Sequence, residues 1–210
     1  MPHLIRRPRT ALFVLTTVGL ILLCIGVGGL AAARAQAATS LCPNPPLTQP
    51  FTAWGDDNYY TLVRGQDDTG FTGAGWLLSG GASIEQAQLS DGGWGGVLDL
   101  PSGSEAISPP VCVNSTYPDA RMMVNDVSGS EGVEVFVSDR DTSAWGTPWT
   151  ALADAGNANG GQGSWSPSDP INLPAPATSD WQLARFVFVP GGVTSEFQIY
   201  DFYLDPYSKG

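Results

Sequence analysis

Histidine and lysine are almost absent from this sequence. The 210 residues contain one histidine, His3, and one lysine, Lys209, the second residue from the end. Beyond residue 34 there is therefore no histidine for a Ser-His-Asp or Cys-His nucleophile, or for a histidine-ligated zinc or iron site. A buried Schiff-base lysine is excluded as well. These absences rule out much enzyme chemistry.

Basic side chains of any kind are few. Four of the nine, Arg6, Arg7, Arg9 and Arg34, lie in the first 34 residues. The remaining residues carry all 20 acidic side chains and five basic ones, which makes their formal net charge −15. Nucleic acids and anionic lipid surfaces bind through Lys and Arg, so we expect neither as a partner. Neutral glycans, cationic partners and divalent metal ions remain.

The N-terminal residues have the pattern of an export signal. Three arginines, Arg6, Arg7 and Arg9, precede an uncharged apolar run over residues 11–33, and small residues follow it up to Ala38. This pattern predicts a signal helix within a signal peptide, residues 1–38, and a secreted extracellular domain that is free of the membrane after cleavage. The run has 23 residues, which is also long enough to span a bilayer. The alternative is an uncleaved anchor that holds the domain outside the cell.

The cysteines agree with an oxidising compartment. Of the three, Cys24 lies inside the apolar run, which leaves Cys42 and Cys112 with only each other to pair with. We therefore predict a disulfide between them. The alternative is two buried free thiols.

The rest of the chain has the pattern of an all-β domain. Residues 39–50 are too proline-rich for a helix and predict an extended lead-in. Over residues 51–210, apolar residues alternate or form short runs separated by Gly, Pro, Asp and Ser, which predicts a single antiparallel two-sheet sandwich or jelly roll. The nine expected strands cover residues 59–63, 76–79, 82–88, 97–100, 105–108, 120–125, 133–138, 181–189 and 196–205. Residues 142–180 are expected to form a long crossover loop, flexible around 157–163.

The last expected strand contains an irregularity. Its apolar residues alternate at Phe197 and Ile199 and then shift by one position to Phe202 and Leu204. A β-bulge near Tyr200 would keep all four on the inner face. A strand buried on both faces would need no bulge, and the sequence leaves both possibilities open.

Four segments resemble a known group of proteins. They are FTAWGDDNYYTLV (51–63), GWLLSGGASI (75–84), LDLPSGSEAISPPVCV (98–113) and FQIYDFYLDPYSKG (197–210). They are similar to uncharacterised secreted proteins of high-GC Gram-positive bacteria with a galactose-binding-like, carbohydrate-binding-module-like jelly roll. The resemblance implies this fold and secretion, but no activity, because the family has none established.

The resemblance also implies a structural Ca2+ site between the first and last strands. Asp68 lies nearest the family's glutamate, Asp201 matches an aspartate of its closing strand, and Asp67 and Asp205 are further candidate ligands. Calcium binds six to eight oxygen ligands, and these carboxylates are ligands of that kind. The sequence departs from the family pattern at residues 64–68 and at Tyr200, where ligands of the family are missing.

Seven tryptophans are many for this length. A sugar ring stacks its C–H face on an exposed aromatic ring, and Trp94, Trp145 and Trp149 are the candidates for such a ligand-binding surface. The function we predict is a secreted, non-catalytic binding module for glycans or cell-envelope surfaces. A carboxylate-based glycoside hydrolase and a structural envelope protein are the alternatives, because two carboxylates suffice for glycoside hydrolysis. Whether the protein is an enzyme is left open.

Overall fold

The computed structural model describes residues 42, 46–114, 119–141, 148–173 and 181–205. The chain divides into two compact units, Met1–Pro43 and Asn44–Gly210, and the strands belong to the second. The predicted signal peptide, the apolar run over 11–33 and Trp145 lie outside the described residues. Within the described ranges, no helix is long and apolar enough to cross a membrane.

Strands dominate the described part of the chain, whose single helical element is a 3-10 turn at Thr52–Trp54. The sixteen strands of this part are β1 (Thr61–Leu62), β2 (Gln66–Asp67), β3 (Gly70–Phe71), β4 (Leu77–Ser79), β5 (Ser83–Gln88), β6 (Trp94–Pro101), β7 (Glu105–Ile107), β8 (Val111–Val113), β9 (Asp119–Ser128), β10 (Val133–Asp141), β11 (Ala153–Ala158), β12 (Gly161–Gln162), β13 (Ser166–Pro167), β14 (Ile171–Asn172), β15 (Gln182–Pro190) and β16 (Glu196–Asp205).

The strands form two sheets. The ten-stranded sheet has the order β12-β9-β16-β6-β3-β2, with β13 and β14 also paired to β9, β1 to β16 and β5 to β6. The six-stranded sheet has the order β11-β10-β15-β7-β4, with β8 paired to β15. Pairing is antiparallel except for β12 with β9 and β3 with β6. The predicted all-β, two-sheet fold is confirmed.

Aromatic rings from both sheets meet in the core. Phe202 of β16 lies 5.0 Å, centroid to centroid, from Phe186 and also 5.0 Å from Phe188, both on β15. All three side chains are fully buried. Since β15 and β16 belong to different sheets, these edge-to-face contacts join the two layers.

The β-bulge in the last strand is present. Tyr200 pairs with Met123 of β9 and Tyr203 pairs with Arg121, so three steps along β16 match two along β9. Asp201 is in the left-handed region with φ 55°, and Phe197, Ile199, Phe202 and Leu204 are all buried. The Gln66 side chain satisfies the disrupted backbone, because its amide donates to the Phe202 carbonyl oxygen and accepts from the Phe202 N–H.

All nine predicted strands are present, with small differences at their ends. One difference is at β6, which begins at Trp94, three residues before the prediction. Gly95 and Gly96 suggested a turn, but Gly96 pairs with Gly70 of β3. A Cβ atom on Gly96 would lie 1.9 Å from the Phe71 carbonyl oxygen. This glycine is needed for the close approach of two backbones.

The long loop predicted over residues 142–180 is wrong where the structure describes it. Four strands lie in this range: β11 pairs with β10 at the edge of the six-stranded sheet, and β12, β13 and β14 pair with β9. β12 and the last two residues of β11 fall in the part expected to be flexible. Three of these strands have two residues each, and β11 is made mostly of Ala, Gly and Asn, so the neighbouring strands, rather than their own alternation, determine them.

The turn between β5 and β6 places polar groups beside the last strand. Gly92 has φ +83°, its N–H donates to the Leu89 carbonyl oxygen, and the Asp91 side chain accepts from the Gly93 N–H. The Asp-Gly-Gly sequence provides the side-chain acceptor and the positive φ that this turn needs. Ser90 thereby reaches Tyr200 of β16.

Cys42 and Cys112 are both disulfide-bonded, as predicted. We expect non-reducing peptide mapping of the purified protein to recover one cross-linked pair of peptides containing both residues. Reduction should separate this pair. Quantitative alkylation of both cysteines without a reductant would contradict the prediction.

Candidate functional site

Four polar side chains lie in register across the outer face of the ten-stranded sheet. Gln198 of β16 is opposite Asn125 of β9 on one side and Asp99 of β6 on the other, and Asp99 is opposite Ser83 of β5. Successive side chains point to opposite faces of a sheet. Because the next residue of β16, Ile199, is in the core, these four side chains point outward. We call Ser83, Asp99, Gln198 and Asn125 the polar row.

Hydrogen bonds connect the row but do not complete it. The Asn125 amide Nδ2 lies 3.5 Å from Gln198 Oε1, and Gln198 Nε2 donates to Asp99 Oδ1 at 3.2 Å. Asn125 Oδ1 is buried and accepts no hydrogen bond within the described residues. A buried polar atom without a partner is uncommon and costs free energy, so a further donor would stabilise this end of the row.

Asp99 is the charged member of the row and is buried. Burial raises the pKa of its carboxyl, the charges of Glu196 and Glu85 raise it further, and the hydrogen bond from Gln198 opposes them. Glu85 is exposed on β5 and accepts a hydrogen bond from Ser83 Oγ at 3.1 Å. The surface is therefore rich in acceptors and negatively charged, which suits a ligand with many hydroxyl donors.

An aromatic pair adjoins the polar row. Tyr200 follows Gln198 by two residues on the same face of β16, about 7 Å along the strand, and its side chain is buried there. The half-buried Trp165 packs edge-to-face on Tyr200, with ring centroids 4.6 Å apart. Trp165 precedes β13, beyond β9, yet its indole Nε1 donates to the Gln88 carbonyl oxygen of β5 at 2.7 Å. Its ring thus extends across the outer face beside the row. We call Trp165 and Tyr200 the aromatic pair.

The three tryptophans predicted to bind ligand lie in different places. Trp94 is 71% exposed and pairs with Gln88 of β5, whose carbonyl oxygen accepts the Trp165 hydrogen bond. Trp149 is half-buried near Arg140 and Arg185, next to the other sheet. Trp145 lies outside the described residues. A role in binding stays a prediction for each.

The four candidate calcium ligands do not come together. Asp67 is exposed, and its Oδ1 accepts from the N–H and the hydroxyl of Thr69 at 2.8 and 2.6 Å. Asp68 is also exposed, Asp205 is buried, and Asp201 sits in the bulge near Asp91. Over the described ranges, no three or more His, Cys, Asp or Glu side chains are grouped to hold a metal ion. Calcium binding stays a prediction that only a measurement tests.

The sequence contained signals for the residues that were missed. Asp99 is a lone charge between leucines in an apolar strand, and a buried charge in such a place suggests a function. Tyr200 stands where the similar proteins have an aspartate. Asn125, Gln198 and Trp165 carry no signal of their own, because only the strand register brings them together.

No protein-family model matches the sequence, and a search of curated proteins found no match. Solved structures with a similar fold include the xylanase 10B CBM22-1-GH10 modules of Clostridium thermocellum complexed with xylohexaose, at 17% identity and TM-score 0.49, covering 72% of this chain and 29% of that one. Another is the family 11 carbohydrate-binding module from the same organism, at 10% identity and TM-score 0.41, covering 72% and 96%. A third is the CBM22-1 xylan-binding domain of Paenibacillus barcinonensis Xyn10C. It is 11% identical with a TM-score of 0.38, and the match covers 65% of this chain and 88% of that one.

Proposed function

We propose that this protein is an exported, non-catalytic binding module for glycans of neutral charge, and that the polar row and Trp165 of the aromatic pair hold the sugar. The observation that carries the proposal is the incomplete polar row beside a half-buried tryptophan on the outer face of the ten-stranded sheet. The similar structures are too distant to transfer a ligand, so the support comes from this surface.

The surface matches the two kinds of groups that a sugar presents. Hydroxyl groups donate to carboxylate and amide oxygens, and Asp99, Gln198 and Asn125 offer these in one line. The C–H face of a pyranose ring packs on an aromatic ring, which Trp165 provides at the side of the row. A sheet holds such groups at fixed spacing, so little conformational entropy is lost on binding.

The proposed site is tested by replacing Trp165 with alanine. We expect the affinity for the best ligand among xylohexaose, β-1,4-galactotriose and a mixed-linked glucan tetrasaccharide to fall about tenfold, because one aromatic contact of this kind contributes about 1 kcal/mol or more. Isothermal titration calorimetry measures it. Asn125→Ala should weaken binding several-fold through the lost amide.

Trp54→Ala is the matched control for this test. Trp54 is also a partly exposed tryptophan, 44% accessible, but it lies in the 3-10 turn, outside the row and the pair. Its loss should leave the affinity unchanged. Equal losses for Trp54→Ala and Trp165→Ala, or no binding of any of these oligosaccharides, would contradict the proposed site.

One observation favours glycoside hydrolysis as a second candidate function. A buried carboxyl with a raised pKa, Asp99, lies near the exposed carboxylate of Glu85, and glycosidases pair a protonated acid with an ionised carboxylate. Release of reducing sugar that Asp99→Asn abolishes would favour this function over binding alone. If the protein neither binds nor releases sugar, the alternative of a structural envelope protein is favoured.

A further inference from the structure

Two arginines lie against one tryptophan on the second sheet. The guanidinium carbon of Arg185 is 4.4 Å from the centroid of the Trp149 ring, and that of Arg140 is 5.6 Å from it. Arg140 is on β10 and Arg185 on β15, two neighbouring strands of the six-stranded sheet. The residues that alternate with them, Val137 and Phe186, are in the core. Both arginines therefore point to the outer face, away from the ten-stranded sheet.

The tryptophan is held in place by its neighbour. The Thr150 N–H donates to the Asp139 carbonyl oxygen at 2.8 Å, and the Thr150 hydroxyl accepts from the Asp139 N–H at 2.9 Å. Ser138 Oγ donates to the Thr150 carbonyl oxygen at 2.9 Å. These hydrogen bonds attach the segment that contains Trp149 to β10. The ring consequently gives the two guanidinium groups a fixed support.

The two arginines lack part of their hydrogen bonding. The Nε atoms of Arg140 and Arg185 are both buried and have no partner within the described residues. Among the described side chains, the ion pair joins Arg121 and Asp56, and neither Arg140 nor Arg185 takes part in one. Two cations that contact the same ring repel each other, and an anion that contacts both would offset this repulsion. A planar oxyanion accepts N–H donors from such forks in pairs.

We propose that Arg140, Arg185 and Trp149 form a second binding site, which takes the carboxylate of a uronic acid on an otherwise neutral glycan. Two guanidinium forks match one carboxylate, and the rest of the ligand must be uncharged. The acidic side chains of this protein exceed the basic ones by 11 over the whole chain, so polyanions of high charge density are repelled. A single carboxylate on a neutral chain avoids this repulsion. This site goes beyond the proposed neutral-glycan surface and lies on the other sheet.

The test compares two ligands that differ in one group. The probes are xylotetraose carrying one glucuronate branch and the same oligosaccharide after reduction of its carboxyl group. We expect the acidic form to bind about tenfold more tightly, because hydrogen bonds to a charged group are stronger than neutral ones. The difference should shrink as salt is added. Equal affinity of the two forms, or no binding of the acidic form, would overturn the proposal.

Variants then locate the site. Arg185→Gln and Arg140→Gln should each remove most of the preference for the acidic form, and Arg185→Lys, which keeps the charge and loses the planar fork, should remove part of it. Arg64→Gln is the matched control, because Arg64 is exposed and outside the site. A preference lost equally in Arg64→Gln would mean that net charge alone is responsible.

The two sites can fail independently. Trp165→Ala should lower the affinity for the reduced form, which binds only at the polar row, and leave binding of the acidic form at the two arginines unchanged. If the reduced form binds and the acidic form has no advantage, the neutral-glycan proposal stands and the carboxylate site does not. Thermal unfolding of each variant confirms that it is folded, and Arg185→Lys provides the test if a Gln variant is not.

Discussion

Replacing Phe202 with alanine is expected to lower the free energy of unfolding by about 3 to 5 kcal/mol, as for other fully buried phenylalanines. The ring is completely buried and contacts Phe186 and Phe188 on the opposite sheet. Its removal leaves a cavity where the two layers meet. It also removes the buried side chain that follows the bulge, so the burial that favours the bulged register of β16 is reduced.

Chemical denaturation measures this effect, and Phe136→Ala is the matched control. Phe136 is on β10, between Val135 and Val137 of the core, and is only half-buried on the outer face. We expect its replacement to cost much less. A loss for Phe202→Ala no greater than that for Phe136→Ala would mean that the two sheets do not pack through this ring.

Replacing Asp201 with asparagine is expected to raise the free energy of unfolding by about 2 to 3 kcal/mol at pH 7. Burial, and after it the charge of Asp91, raise the pKa of the Asp201 carboxyl from 3.8 to about 6. A shift of about two units corresponds to this free energy at about 1.4 kcal/mol per unit. Asparagine tolerates the left-handed φ of this position and removes the charge without changing the shape.

The gain should depend on pH with a definite sign. Because the pKa of Asp201 is higher in the folded chain than in the unfolded one, the folded state binds the proton more tightly. Below about pH 4 the Asp201 carboxyl is protonated in both states and does not lower the free energy of unfolding of the parent protein. As the pH rises to about 6, the unfolded state loses the proton first and the free energy of unfolding falls. The advantage of Asp201→Asn is therefore absent at pH 3, grows between about pH 4 and 6, and is constant above that.

Denaturation at several pH values measures this profile, and Asp91→Asn is its control. Asparagine at position 91 still accepts the Gly93 N–H but removes the charge, so we expect a smaller gain in the same pH range. A gain for Asp201→Asn that is the same at pH 3 and pH 7 would contradict the assignment to this carboxyl.

Calcium separates two roles for Asp201. With chelator present, the asparagine variant should be the more stable one. If the predicted Ca2+ site exists, millimolar calcium stabilises the parent protein, because a ligand that binds only the folded state raises its stability. The difference in unfolding midpoint between the parent protein and Asp201→Asn then becomes smaller or changes sign. If calcium leaves both midpoints unchanged, Asp201 is a buried carboxyl and not a metal ligand.

The bulge shows how far local pattern alone reaches. The sequence shows that the apolar residues shift by one position between Ile199 and Phe202. An extra residue in the strand is needed only if all four apolar side chains lie on the same face. Whether they were buried on one face or two depended on the neighbouring strand. The pairing of Tyr200 and Tyr203 with β9 decided this question.

The crossover region shows where local pattern fails. Its short strands, such as Gly161–Gln162 and Ser166–Pro167, have no alternation and are too short to order themselves. They exist because β9 offers unpaired backbone groups at its edge. The same region carries Trp165 to the polar row, so the error in the fold prediction and the missed site residue have one cause.

By itself, the sequence determined the all-β class, nine of the sixteen described strands, the acidic composition and the exclusion of histidine-based chemistry, because composition and period-two alternation are local properties of the chain. The tertiary structure alone decided which outward residues meet. The polar row joins residues 83, 99, 125 and 198, and the cationic pair joins 140 and 185. Neither set is close in sequence, because in a β-sandwich the neighbours of a side chain are set by strand order and register, which arise from the packing of distant segments.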